Sequence, residues 1–108
     1  MRIIQITDPH LGEVGEDTFE VDVRANFQNV LEAALRLHPD HLVLTGDLCF
    51  RHENADVYAW VKNLLDQLFL PYDLTSGNHD DSVQMAKSFG LLEYLHGVEF
   101  YFLKYLGD

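Results

Sequence analysis

Three short runs constrain this chain most: "RIIQIT" (Arg2–Thr7), "HLVLT" (His41–Thr45) and "YDLTS" (Tyr72–Ser76). Each is aliphatic or β-branched, and each is followed at once by Gly or Asp. Runs of this length and bounding read as strands. Between them the apolar period changes. Val23, Phe27, Val30, Leu31, Ala34 and Leu37 recur at helical spacing, with Asp22 placed to cap the helix and Pro39 to stop it. A second helix is predicted from about Asp56 to Leu68, with Val57, Val61, Leu64, Leu65 and Leu68 facing inward.

Strand, helix, strand, helix, strand is the order of an α/β fold with a parallel sheet, since parallel strands need crossover connections. The first strand is expected to be buried on both faces. Right-handed crossovers bring the carboxyl ends of all three strands to one edge, where α/β sheets bind ligands. A short helix is predicted over Ser82–Phe89, closed by Gly90, with Asp80 or Asp81 at its start. "VEFYFLKYL" (Val98–Leu106) has apolar residues at both parities and is expected to form a further, interior strand. No repeat or linker interrupts the chain, so residues 1–108 read as a single unit.

Composition narrows the function classes. At 47% apolar and 23% charged, the 108 residues suit one soluble globular unit. No apolar run approaches the roughly 20 residues of a membrane span. The opening "MRIIQITDPH" lacks a secretory h-region, and Cys49 has no partner for an internal disulfide, so a cytoplasmic location is expected. Eighteen Asp and Glu against seven Lys and Arg give a formal net charge of −11 with no basic run. That balance argues against tight nucleic-acid binding. It leaves room for a divalent cation.

The polar residues after the strands are where such a cation is expected. "TDPH", "TGDL" and "SGNHD" deliver Asp8 and His10, then Asp47, then Asn78, His79 and Asp80 to the same edge. Clustered carboxylates repel one another unless a cation lies between them, and mixed His, Asp and Asn donors suit Mn, Fe or Zn. On an extended segment the two donors of "DPH" point to one side. Gly46 and Gly77, lacking Cβ, let the backbone turn and a ligand come close. A plainer alternative is that Asp8, Asp47, Asn78 and Asp80 only cap turns and helices. Capping does not call for His10 and His79 beside them.

"ITDPHLG", "LTGDL" and "SGNHDD", in that order, resemble the D-x-H, G-D and G-N-H-D/E blocks of the calcineurin-like metallophosphoesterases. They match the amino-terminal half of that family's catalytic domain, and the branch most similar is that of bacterial cyclic nucleotide phosphodiesterases. The resemblance implies the βαβαβ half of an αββα sandwich, here ending on an extra strand. It implies two divalent metals, with Asp8 and His10 on the first, Asp47 bridging both and Asn78 on the second. His79 would stabilise the phosphoryl group and protonate the leaving oxygen, and Asp80 would orient His79. The implied reaction is hydrolysis of a small phosphodiester by a metal-bridged hydroxide. Ser76 stands where many family members have Pro.

The family's later Gly-His and Gly-His-x-His blocks have no counterpart after Asp80; "LHGV", at His96, has the order reversed. By ligand count the first metal has three protein donors and the second has two, short of the usual catalytic shell. The chain alone is therefore expected to bind fewer metals and to have uncertain activity. His52 lies on the ligand edge as a candidate replacement. His38 and His41 are expected at the surface of the opposite edge, His96 as structural, and Cys49 as a packed thiol. An unpaired aromatic last strand would favour homo-oligomers. Two other readings stay open: a nuclease of the same family, and a non-catalytic remnant that binds metal or a partner.

Overall fold

The second of the three sheet strands is the hub of the molecule. A computed structural model describes residues 1–106, in which β1 (Ile3–Thr7), β2 (His41–Thr45) and β3 (Tyr72–Thr75) form a parallel sheet in the order β1-β2-β3. The crossovers are α1 (Val23–Arg36) and α2 (Ala55–Asp66), and α3 (Ser82–Phe89) follows β3. Strand order and chain order coincide, so both right-handed crossovers lie over the same face. Phe27 of α1 meets Trp60 of α2 there, with ring centroids 6.1 Å apart.

Register explains which residues form the core. Ile4, Leu42 and Tyr72 lie side by side, as do Ile6, Leu44 and Leu74, and these rows pack against Phe27, Leu31, Val57, Tyr58, Val61, Leu65, Met85 and Phe89. The alternate rows carry Gln5, Val43 and Asp73, then Thr7, Thr45 and Thr75, on the face away from the helices. β1 is therefore not buried on both faces as expected. It is an edge strand with Ile3 49% exposed and Gln5 and Thr7 in solvent. Gln5 and Thr7 already alternate with Ile4 and Ile6 in the sequence.

The helix ends follow local chemistry. The Asp22 carboxylate accepts from the Ala25 N–H, the Asn54 amide oxygen from Asp56 and Val57, and the Asp81 carboxylate from Gln84. Caps of this kind are worth about 1 kcal/mol each. Gly90, at φ 70°, ends α3 in the left-handed conformation that glycine tolerates best. The predicted bounds of β2 and α3 are observed unchanged. Of the stripe expected on α1 and its C-cap, Val30 and Leu37 are exposed rather than inward, whereas Phe27, Leu31 and Ala34 are buried and Val23 packs partly buried against the core.

The expected strand Val98–Leu106 does not form. After a 3₁₀ turn (Leu92–Tyr94), β4 (Leu95–His96) and β5 (Glu99–Phe100) make a two-residue antiparallel ladder, and Tyr101–Leu106 pairs with no strand. The segment lies instead across the helix-free face, where Phe100, Phe102 and Lys104 approach Val43, Asp73 and Thr75. Phe102 packs on Tyr94 with centroids 4.7 Å apart, while Leu103 and Tyr105 point outward. Aromatics at both parities thus mark a strap with one packed side, not an interior strand.

His41 also departs from expectation. It is buried at 5% exposure, and its Nε2–H donates to Asp73 Oδ2 at 2.7 Å. β2 is central, so its odd-numbered side chains meet those of β3 beneath the strap. Lys104 Nζ completes the arrangement at 2.8 Å from Asp73 Oδ1. Cys49 is fully buried, as expected of a packed thiol.

Candidate metal centre

The loops after β1 and β2 run side by side beyond the sheet. Asp8 N–H donates to the Thr45 carbonyl, His10 N–H to Asp47, and Leu11 N–H to Leu48, while Phe50 N–H returns to Leu11. This ladder brings Asp8, His10 and Asp47 together, with one donor atom from each lying within 4.8 Å of the others. His10 Nε2 is 3.8 Å from Asp8 Oδ1 and 4.0 Å from Asp47 Oδ2. The spacing is open enough for an ion between them.

The backbone reaches this arrangement differently from the sequence expectation. Asp8, His10 and Asp47 all have positive φ, at 53°, 47° and 38°, so "DPH" is coiled rather than extended. Left-handed conformations of non-glycine residues cost roughly 1–3 kcal/mol each and cluster at functional sites. Asp and His are among the side chains that tolerate them best. Gly46, at φ 73°, makes the bend before Asp47.

The loop after β3 approaches Asp47 from the other side. His79 N–H donates to Asp47 Oδ1 at 2.9 Å. The Asn78 amide lies against the same carboxylate: with its nitrogen turned inward it sits 3.0 Å from each Asp47 oxygen. Turned the other way, oxygen faces oxygen, a contact that a shared cation would relieve. The donor set therefore fits a divalent ion, with Asn78 able to serve either as hydrogen-bond donor or as ligand.

Asp80 does not sit behind His79. Its carboxylate accepts from the backbone N–H groups of Leu48, Cys49 and Gly77 and from the Tyr58 hydroxyl, at 2.9–3.1 Å. It clamps the β2 and β3 loops to each other. The His79 ring is set by another atom: Nδ1–H donates to the Arg51 carbonyl at 2.9 Å. That bond puts the proton on Nδ1 and leaves Nε2 as the free nitrogen. His79 and His10 stand edge to face, centroids 5.6 Å apart.

Sequence reasoning missed Tyr58 and Arg51. Tyr58 has no exposed surface; its hydroxyl donates to Asp80 and accepts from the Asp81 N–H at 3.1 Å. Burial, then the Asp80 charge, push its phenol far above the ordinary range. The same causes raise the Cys49 thiol to about 11. An apolar stripe drawn through Val57 and Val61 passes beside Tyr58, and a wider stripe would have included it. His52 is exposed and His96 stacks on Tyr101 at 4.0 Å; neither belongs to the Asp8, His10, Asp47 group.

A parallel sheet whose strand-end loops gather two carboxylates and an imidazole is the layout of a metal-ion site in an α/β protein. The chain belongs to the calcineurin-like phosphoesterase family, whose model matches residues 1–107. It is 30% identical over 102 residues to a protein of Fibrobacter succinogenes named "Probable cyclic nucleotide phosphodiesterase", covering 94% of this chain and 40% of that protein. A Moraxella catarrhalis protein of the same name is 34% identical over 96 residues, covering 88% and 33%. A "DNA double-strand break repair protein Mre11" of Methanococcus maripaludis is 30% identical over 107 residues, covering 90% and 28%. The chain thus spans about a third of the length of these relatives. Among the described residues, no helix is long and apolar enough to cross a membrane.

Proposed function

We propose that the protein is a metal-dependent phosphodiesterase acting on small phosphodiesters, cyclic nucleotides among them. The observation that carries this reading is the convergence of Asp8, His10 and Asp47 on one point. These residues would hold one divalent ion, Mn, Fe or Zn. Asp47 and Asn78 would contribute to a second, which needs further ligands from elsewhere. Bound there, such ions supply Lewis-acid stabilisation of charge on a phosphoryl oxygen.

The remaining work falls to this chain's own groups. With its proton held on Nδ1 by the Arg51 carbonyl, His79 has Nε2 available to exchange a proton with the ester oxygen. Asp80 keeps Asp47 and His79 at a fixed separation by tying their loops, without touching substrate. A nuclease reading draws support from the Mre11 similarity. The net charge of −11 weighs against it, because a polyanion needs basic contacts.

Titration calorimetry with Mn²⁺, followed by a bis(p-nitrophenyl) phosphate assay with Mn²⁺ added, tests the proposal. Asp47→Ala is expected to lower metal affinity and remove turnover. Unchanged metal content and activity in that variant would falsify the site. Faster turnover of single-stranded DNA than of cyclic nucleotides would favour the nuclease.

A further inference from the structure

The side chains of Phe19, Phe50 and Arg51 form a group of their own, apart from the contacts that hold Asp8, His10, Asp47 and His79. Phe50 is tied to both histidine loops: its N–H bonds the carbonyl of Leu11, the residue after His10, and the carbonyl of Arg51 holds the His79 ring. The Arg51 guanidinium lies 5.0 Å above the Phe50 ring. Phe19, from the loop after β1, meets the same ring edge to face at 5.6 Å.

Phe19 is 76% exposed, an unfavourable place for a large aromatic side chain. The loop that carries it is braced. Thr18 Oγ1 donates to the Val21 carbonyl, Val21 N–H returns to Thr18, and Glu20 N–H donates to Asp17 Oδ1. Phe19 and Glu20 both have positive φ, 57° and 61°, so the turn presents the ring outward. Arg51 is exposed and forms no ion pair among the described residues, although the chain carries eighteen carboxylates.

We propose that Phe19, Phe50 and Arg51 form a subsite for a phosphoester that carries a planar aromatic group, as a nucleotide does. The inference rests on the phosphodiesterase reading and assigns residues to the aromatic part of its substrate. The exposed Phe19 ring, braced by Phe50, offers a face for stacking, a contact that tolerates any base. The Arg51 guanidinium, which forms no ion pair among the described residues, offers a charge-assisted fork to phosphate, and the backbone carbonyl of the same residue holds the His79 ring. A phosphoester without a ring gains only the second contact.

Calorimetric titration of the Zn²⁺-loaded chain with 5′-AMP and with methyl phosphate separates the two contributions; both probes are monoesters that a phosphodiesterase would release. Stacking on one aromatic residue is expected to make 5′-AMP roughly tenfold tighter than methyl phosphate. Phe19→Ala should erase that difference and leave methyl phosphate affinity unchanged, while Phe19→Trp should keep it. Arg51→Gln should weaken both probes together. Equal binding of the two probes by the native chain, or a preference that survives Phe19→Ala, overturns the subsite and leaves the phosphodiesterase reading standing. Failure of both probes to bind overturns that reading, and the subsite with it.

Discussion

A β-carbon on Gly77 would lie 2.2 Å from Asp47 Oδ1 and 2.3 Å from the Asp47 backbone nitrogen. The β2 and β3 loops touch at this point with no room for a methyl group. Backbone on one side and a fixed carboxylate on the other leave nothing flexible to yield. Gly77→Ala is therefore expected to cost at least the roughly 1–3 kcal/mol typical of overpacking. It should also weaken metal binding by displacing Asp47. Urea unfolding together with Mn²⁺ titration checks both, and a variant of native stability would refute the contact.

Tyr58→Phe removes one hydroxyl and leaves two groups short, the Asp80 carboxylate and the Asp81 N–H. Losing a buried partner costs about 1–3 kcal/mol. Asp80→Ala should be worse, because it strands three backbone N–H groups and that hydroxyl at once. The ordering of the two unfolding midpoints is the measurement.

His79 and Asp47 should separate by assay. His79→Ala is expected to leave Mn²⁺ affinity near native and to lower turnover by about 10²–10⁴, the usual worth of a positioned acid or base. Asp47→Ala should weaken Mn²⁺ binding and remove turnover together. Equal loss of metal in the two variants would move His79 into the ligand set.

Cys49 should resist thiol reagents in the folded protein. It is fully buried and its pKa is raised to about 11, so at pH 8 little thiolate exists and less is reachable. Labelling kinetics with and without urea test this: the native rate should be limited by unfolding.

The strap over the sheet should loosen in alkali. Hydrogen bonding to Asp73 raises the Lys104 pKa above its ordinary 10.5. A raised folded-state value means that its contribution is complete below about pH 10.5 and fades as pH climbs through the folded pKa. Lys104 is partly exposed, so the effect belongs with surface ion pairs, at most about 1 kcal/mol. Lys104→Met should flatten the alkaline limb of a stability–pH profile.

The order of elements and the bounds of β2 and α3 were legible because periodicity and capping residues are local signals. Asp8, His10 and Asp47 were legible as a group because the ends of the first two strands had to share one edge. What one residue does to another across the fold was not. The family resemblance implied that Asp80 orients His79, yet Asp80 spends its oxygens on Leu48, Cys49, Gly77 and Tyr58. His41 read as surface because no local pattern announces Asp73 thirty-two residues later. The last aromatic run read as a strand because composition reports burial without reporting pairing.

The Asp80 clamp makes the centre a check on its own assembly. Its oxygens meet Leu48 and Cys49 only when β3 lies in one register against β2. A slip of one residue would reverse the faces of β3 and carry Asn78, His79 and Asp80 away from Asp47 together. A mispaired chain would then lack the assembled site altogether, because the same alignment that buries Leu74 also brings the polar loops into contact.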